Sequence, residues 1–219
     1  MNIILGIISI VLTFGTVVLL EKIFKKEGLL IWISIATILA NIIVCKTINI
    51  FGITSSLGNI MFASNFLATD IITEKYGSDY AKKAINCALV ATIIFIVTTQ
   101  ISLLFIPDVT DIAQESMKTL FSLNLRTSLA SLTLFYLSNK FDIYLYEKLK
   151  NKYPNKLWLR NNTATIISNC LENYLFALLA FIGIFNIPTI IYIATTGSII
   201  EIVIAILDTP YIYISKLLK

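Results

Sequence analysis

Apolar residues run along this chain in seven stretches, Asn2–Leu20, Leu29–Ile50, Leu57–Thr73, Ala84–Ile106, Leu123–Ser138, Asn162–Phe185 and Thr189–Ser215. A bilayer core takes about 20 residues of helix per crossing. Only a helix or a closed barrel satisfies its own backbone polar groups there. The pattern therefore predicts an all-α integral membrane protein of about seven transmembrane helices, folded as a single polytopic domain over residues 1–219.

Polar residues interrupt these stretches at depths where hydrocarbon penalises them. A charged group at mid-helix costs about 2.5–3.5 kcal/mol even on lenient insertion scales, which makes Asp70, Glu172 and Glu201 candidates for function. Helical spacing groups them with partners. Asn162, Thr165, Asn169, Glu172 and Asn173 share one face of the sixth stretch. Asn59, Ala63, Phe66, Asp70 and Glu74 align on the third with Thr69 on the flank, and Ser34, Thr37, Asn41 and Cys45 align on the second. The last offers Ala194, Gly197, Ser198, Glu201, Ala205 and Asp208. The plain alternative is interhelical packing, where small residues allow close approach and amides bridge helices for about 0.6 kcal/mol each. That suits Asn59, Thr165, Gly197 and Ser198, whereas the deeper ionisable Asp70 and Glu172 favour a cavity. Lys46 and Arg126 stand near helix ends, where snorkelling competes with ligand binding. Glu74 and Asp208 approach the other surface, as a gate or as solvated groups.

Composition removes other classes. With 57% hydrophobic and 14% charged residues the chain is neither soluble and globular nor disordered. Its 219 residues leave no room for a separate catalytic or nucleic-acid-binding domain. The net charge of +4 lies in short connections, where membrane insertion explains it, so no nucleic-acid partner is expected. Lys22, Lys25 and Lys26, then Lys75, Lys82 and Lys83, then Lys140 to Arg160, then Lys216 and Lys219 fall on alternate connections. The positive-inside rule puts these in the cytoplasm and the N-terminus outside. The first stretch is expected to stay as an anchor, since its basic residues follow the apolar run and no cleavage site appears.

Chemistry is bounded by what is missing. No histidine is present, and Cys45, Cys87 and Cys170 stand apart in apolar surroundings as small buried hydrophobes. No phosphate loop, zinc motif or nucleophile pair appears, so neither an enzyme nor a cofactor or metal site is expected. Residues 108–120 have the spacing of an outer-surface amphipathic helix but read better as a solvated linker helix, 142–152 are expected to lie similarly on the cytoplasmic face, and Trp32 and Trp158 at membrane interfaces.

The runs Phe66-Leu67-Ala68-Thr69-Asp70 to Tyr76-Gly77, Ala130-Ser131-Leu132 with Asp142, Leu157-Trp158-Leu159-Arg160-Asn161-Asn162, and Leu207-Asp208-Thr209-Pro210 resemble the queuosine-precursor transporter family, from about Ile31 onward. The resemblance implies a multi-pass protein of the bacterial cytoplasmic membrane importing 7-deazaguanine bases. It implies a six-helix core related to vitamin-capturing subunits over residues 29–219, with residues 1–28 as an added N-terminal helix and loop. Two positions depart from the family. Glu172 stands where an Asp is usual, three residues after Asn169, and Glu201 often gives way to Lys.

A guanine-like edge presents a ring N–H and an NH2 side by side, which a carboxylate accepts as a pair. Asp70 or Glu172 would serve. Asn41 or Asn169 would read the neighbouring carbonyl, and Phe66 would stack on the ring. Near neutral pH the aminomethyl base and queuine carry an ammonium and the nitrile base does not, so Glu201 beside Glu172 suggests preference for an amine. A substrate-capturing subunit of an ATP-dependent importer, and a protein whose polar stripes only pack helices, remain the alternatives. Oligomerisation, ion coupling and ATPase partners stay open.

Overall fold

The computed structural model describes residues 2–50, 53–121 and 125–218. The order is α1 (Asn2–Ile43), β1 (Thr47–Ile50), β2 (Ile53–Ser56), α2 (Gly58–Lys75), α3 (Ser78–Leu103), α4 (Gln114–Phe121), α5 (Leu125–Lys152), α6 (Leu157–Phe181) and α7 (Ile187–Leu217). Four helices, α1, α3, α6 and α7, are long and apolar enough to cross a membrane. Large apolar side chains such as Ile4, Ile7, Leu12, Ile94 and Ile199 are exposed along them, as a lipid-facing surface requires.

The break in α1 separates the first two apolar stretches. Lys25 adopts φ 55° and ψ −137°, outside helical space, and the chain reverses there. Gly28 makes the reversal tight, because a Cβ would stand 2.3 Å from the Leu20 carbonyl oxygen. The reversal returns the chain to where it began, so that Asn2 Nδ2 donates to the Asn49 carbonyl at 3.1 Å. The first half of α1 is part of the core. Phe14 and Val17 are fully buried, and Phe14 meets Tyr211 of α7 edge-on at 5.4 Å.

α2 stands at the centre, walled by α1, α3, α5 and α7, with Ala63 through Thr73 buried without interruption. A helix enclosed by protein can carry polar side chains at little cost, since none faces lipid. Gly77, at φ 91°, then turns the chain into α3.

Several expectations are corrected. The second stretch does not stay helical to Ile50. α1 ends at Ile43, and the β-branched run that follows pairs as an antiparallel ribbon with Thr47 opposite Ser56. The fifth stretch does not end at Ser138 with a surface helix beyond. α5 continues to Lys152 and buries Asp142, Ile143 and Tyr146 completely, because they extend the face begun by Phe135, Ser138 and Asn139. Of residues 108–120, only those from Gln114 onward are helical. The helix starts there because Asp111 Oδ1 accepts the N–H groups of Ala113 and Gln114 at 2.7 and 3.1 Å. Trp158 is exposed as expected, but Trp32 is buried and donates to Ser64 Oγ at 3.1 Å. Cys45 is exposed, and Cys87 and Cys170 are half-buried.

Candidate functional site

Packing of α6 against α5 and α7, with side-chain bonds reaching across to α2, stacks the buried polar residues in layers along the molecule. At one end lies a cluster of ion pairs around Glu74. Arg160 Nη2 donates to Glu74 Oε1 at 2.6 Å, with Lys150 and Lys216 at 3.5 and 3.6 Å. Arg160 is 1% exposed, and its Nη1 also donates to the carbonyls of Tyr153 and Pro154. Lys75 pairs with buried Glu21 at 2.5 Å and donates to the Ser215 and Leu218 carbonyls. These contacts tie α1, α2, α5, α6 and α7 together at this basic end. Three of the basic clusters therefore meet at the same end of the molecule, and Lys26 and Lys83 face Tyr80 close by.

One turn inward the cations give way to acids. Asp70 of α2, Asp142 of α5 and Asp208 of α7 are each fully buried. Asp142 lies beside Asp70, and Asp208 is the third acid of the same layer. α6 supplies the surrounding donors. Thr165 Oγ1 donates to Asp70 Oδ2 at 3.2 Å, Asn161 Nδ2 donates to Asp208 Oδ1 at 2.7 Å, and Ser168 lies beside Asp142. Even so, Asp70 Oδ1, both oxygens of Asp142, Asp208 Oδ2 and Asn161 Oδ1 find no donor.

The next layer holds the two glutamates. Glu172 accepts from Ser138 Oγ at 2.5 Å, and Glu201 accepts from Asn173 Nδ2 at 2.6 Å. Asn173 follows Glu172 in α6, so the bond to Glu201 brings the two acids into one layer. Beside them Asn169, 1% exposed, has an unpartnered Oδ1. Toward the ribbon end a small, partly open cavity, a cleft with room for about one water molecule, lies between the second half of α1 and α2, α3 and α5, lined by Thr37, Asn41, Phe62, Thr92, Ile96, Ser131, Leu132 and Phe135.

The expected site residues are thus divided among layers. Asn41 lines the cavity, where its Nδ2 donates to the Thr37 carbonyl at 2.8 Å. Phe66 is buried at 3% exposure, and Phe62, one turn earlier, takes the cavity wall instead. Thr69 is fully buried and its hydroxyl donates to the Phe66 carbonyl of its own helix. Asp70 belongs to the acid layer, while Asn169, Glu172 and Glu201 belong to the next. Seven residues of α6 separate Thr165 from Glu172, about 10 Å of rise. Arg126 stands in the first turn of α5, and its side chain lies outside the described residues.

Residues 56–215 match the family described as "Putative vitamin uptake transporter". A Bacillus subtilis (strain 168) protein named "Probable queuosine precursor transporter" is 35% identical over 208 residues, spanning 94% of this chain and 91% of its own. The chain belongs to the queuosine precursor transporter family. No solved structure matches it.

In this chain the runs that carry the family resemblance occupy the helix crossings. Asn161 and Asn162 of one run meet Asp208 and Thr209 of another, the latter through a 3.0 Å bond from Thr209 Oγ1 to Asn162 Oδ1. Buried polar residues that the sequence left without a site role include Asp142, Asn161 and Arg160, together with Asn65, whose amide donates to Thr37 Oγ1 at 3.1 Å. A signal for Asp142 existed, since Phe135, Ser138, Asp142 and Tyr146 recur at helical spacing through a stretch too charged to pass as a span.

Proposed function

We propose that this transporter imports a 7-deazaguanine queuosine-precursor base across the cytoplasmic membrane of a bacterium, with its basic end inside and its ribbon end outside. The observation that carries this reading is the surplus of buried acceptors on α6 and the helices facing it, above all Asn169 Oδ1 beside the Glu172–Glu201 pair. Buried polar groups are ordinarily satisfied, so such a surplus suits a ligand rich in N–H donors. A guanine-like base is one. Glu172 accepts the ring N–H and NH2 edge, Asn169 reads the adjoining carbonyl, and Asn41 lines the approach from the ribbon-end cavity.

The preferred base bears an amine. Two carboxylates at Glu172 and Glu201 are unfavourable neighbours unless a proton or a cation joins them. An ammonium beside Glu201 would relieve their repulsion while leaving Glu172 for the edge. Competition uptake in a queuosine-deficient host expressing this chain tests both points. The aminomethyl base should inhibit labelled uptake more strongly than the nitrile base, and Glu201→Lys should reverse that order. No uptake of either base would overturn the transport reading, and stronger inhibition by the nitrile base would remove the amine preference.

A further inference from the structure

We propose that Asp70, Asp142 and Asp208 form a proton-binding site that couples base import to proton entry, an inference that rests on the transport reading above. The geometry asks for a proton at one contact. Thr165 and Asn161, one turn apart on α6, hold Asp70 and Asp208 against the same stretch of that helix, Asp142 is buried beside Asp70 with both oxygens unpartnered, and ionised carboxylates have only acceptors, so the group holds together when one of them carries a hydrogen. Three fully buried carboxylates at bare charge would repel one another in a low-dielectric site.

The groups facing the cluster do not neutralise it. From α6 come Thr165, Asn161 and Ser168, which are uncharged. From α5, Tyr146 lies near Asp70, and its hydroxyl donates to Glu74 at 3.3 Å. Glu74, next along α2, is another acid. The cations at the neighbouring layer, Arg160, Lys150 and Lys216, gather on Glu74, and Arg160 also donates to two backbone carbonyls. A second observation points to an absent hydrogen. Asn161 is fully buried and reaches into the cluster through its Nδ2, yet its Oδ1 has no donor, like four of the six carboxylate oxygens. A metal ion is a poor alternative, because among the described residues no three acidic, histidine or cysteine side chains converge as metal ligands.

The position suits coupling. The acid layer lies between the glutamate layer and the Glu74–Arg160 ion pairs that close the basic end. A proton entering from the ribbon side with the base would be held on the cluster, then released to water at the basic end when those ion pairs part, leaving the carboxylate ready for the next. One proton enters with each base, and no bond other than O–H is made or broken.

The full chain in phospholipid vesicles tests this, with radiolabelled nitrile and aminomethyl 7-deazaguanine bases. An acid-outside gradient should drive accumulation, and Asp142→Asn should lose that accumulation while base exchange across the membrane persists. A merely structural role would depress both together. Accumulation in Asp142→Asn equal to wild type, or accumulation driven by a sodium gradient at equal pH, would overturn the proposal. Infrared spectra in H2O and D2O need no transport. The wild type at neutral pH should show a protonated carboxyl band, part of which is lost in Asp142→Asn and Asp208→Asn. A band unchanged in both variants would remove the site. Absence of exchange for either base would instead remove the transport reading and coupling with it, while the band alone would still decide whether the cluster holds a proton.

Discussion

Arg160 heads the fully buried side chains by size, and its guanidinium closes Glu74 against the carbonyls of Tyr153 and Pro154. Removing one partner of such a pair leaves the other charge buried, which costs about 3–5 kcal/mol. Arg160→Ala should therefore lower the melting temperature of the purified protein sharply, and Arg160→Lys should recover only part of it, since an ammonium cannot reproduce the fork. A melting temperature within a degree or two of wild type for Arg160→Ala would show that Lys150 and Lys216 suffice. Substitutions deeper in the bundle should separate function from folding. Asp70→Asn and Glu172→Gln keep shape and remove charge from layers that already carry excess acceptors, so uptake should fall to background while membrane levels stay near wild type. Wild-type uptake in both would make these residues packing elements. That Asp70, Glu172 and Glu201 stand within the helix bundle was legible from their depth in apolar stretches. Their separation into two layers was not, because periodicity places a residue on a helix face but says nothing of which residue on the facing helix lies level with it.

Elements were legible where one helix face is apolar and misread where the environment is protein. α2 and α5 are too polar to pass as lipid-facing helices, yet other helices surround or pack them, and α5 runs on to Lys152 for that reason. The ribbon from Thr47 to Ser56 was hidden because β-branched residues are equally apolar in a helix and in a strand. The reversal inside α1 shows the same limit at a single residue. Gly28 is one of two small features, with Lys25, that bend the chain, and the Leu20 backbone 2.3 Å from its missing Cβ cannot move aside. Gly28→Ala should cost about 1–3 kcal/mol, the range for overpacking, whereas Gly6→Ala, with open space around it, should melt as wild type does. Equal melting temperatures for the two variants would mean that the reversal relaxes without penalty.

For the whole molecule the testable quantity is orientation. The basic residues of α2, α5 and α7 gather at one end, and the N-terminus meets the ribbon at the other. The positive-inside rule then places the ribbon outside. In a cysteine-free background, an impermeant thiol reagent added outside should label a cysteine at Ser55 or Asn186 and miss one at Lys150. The reverse pattern would invert the topology. By itself the sequence determined that this is a helical membrane protein, which family it resembles, and which ionisable groups lie deep in apolar stretches, because hydrophobic run length and burial cost are properties of one segment at a time. Only the tertiary structure decided that Asp142 is buried against Asp70, that Arg160 seals Glu74, and that Phe62 rather than Phe66 lines the cavity. Those facts depend on the register between helices, which is set by side chains from several segments packing at once.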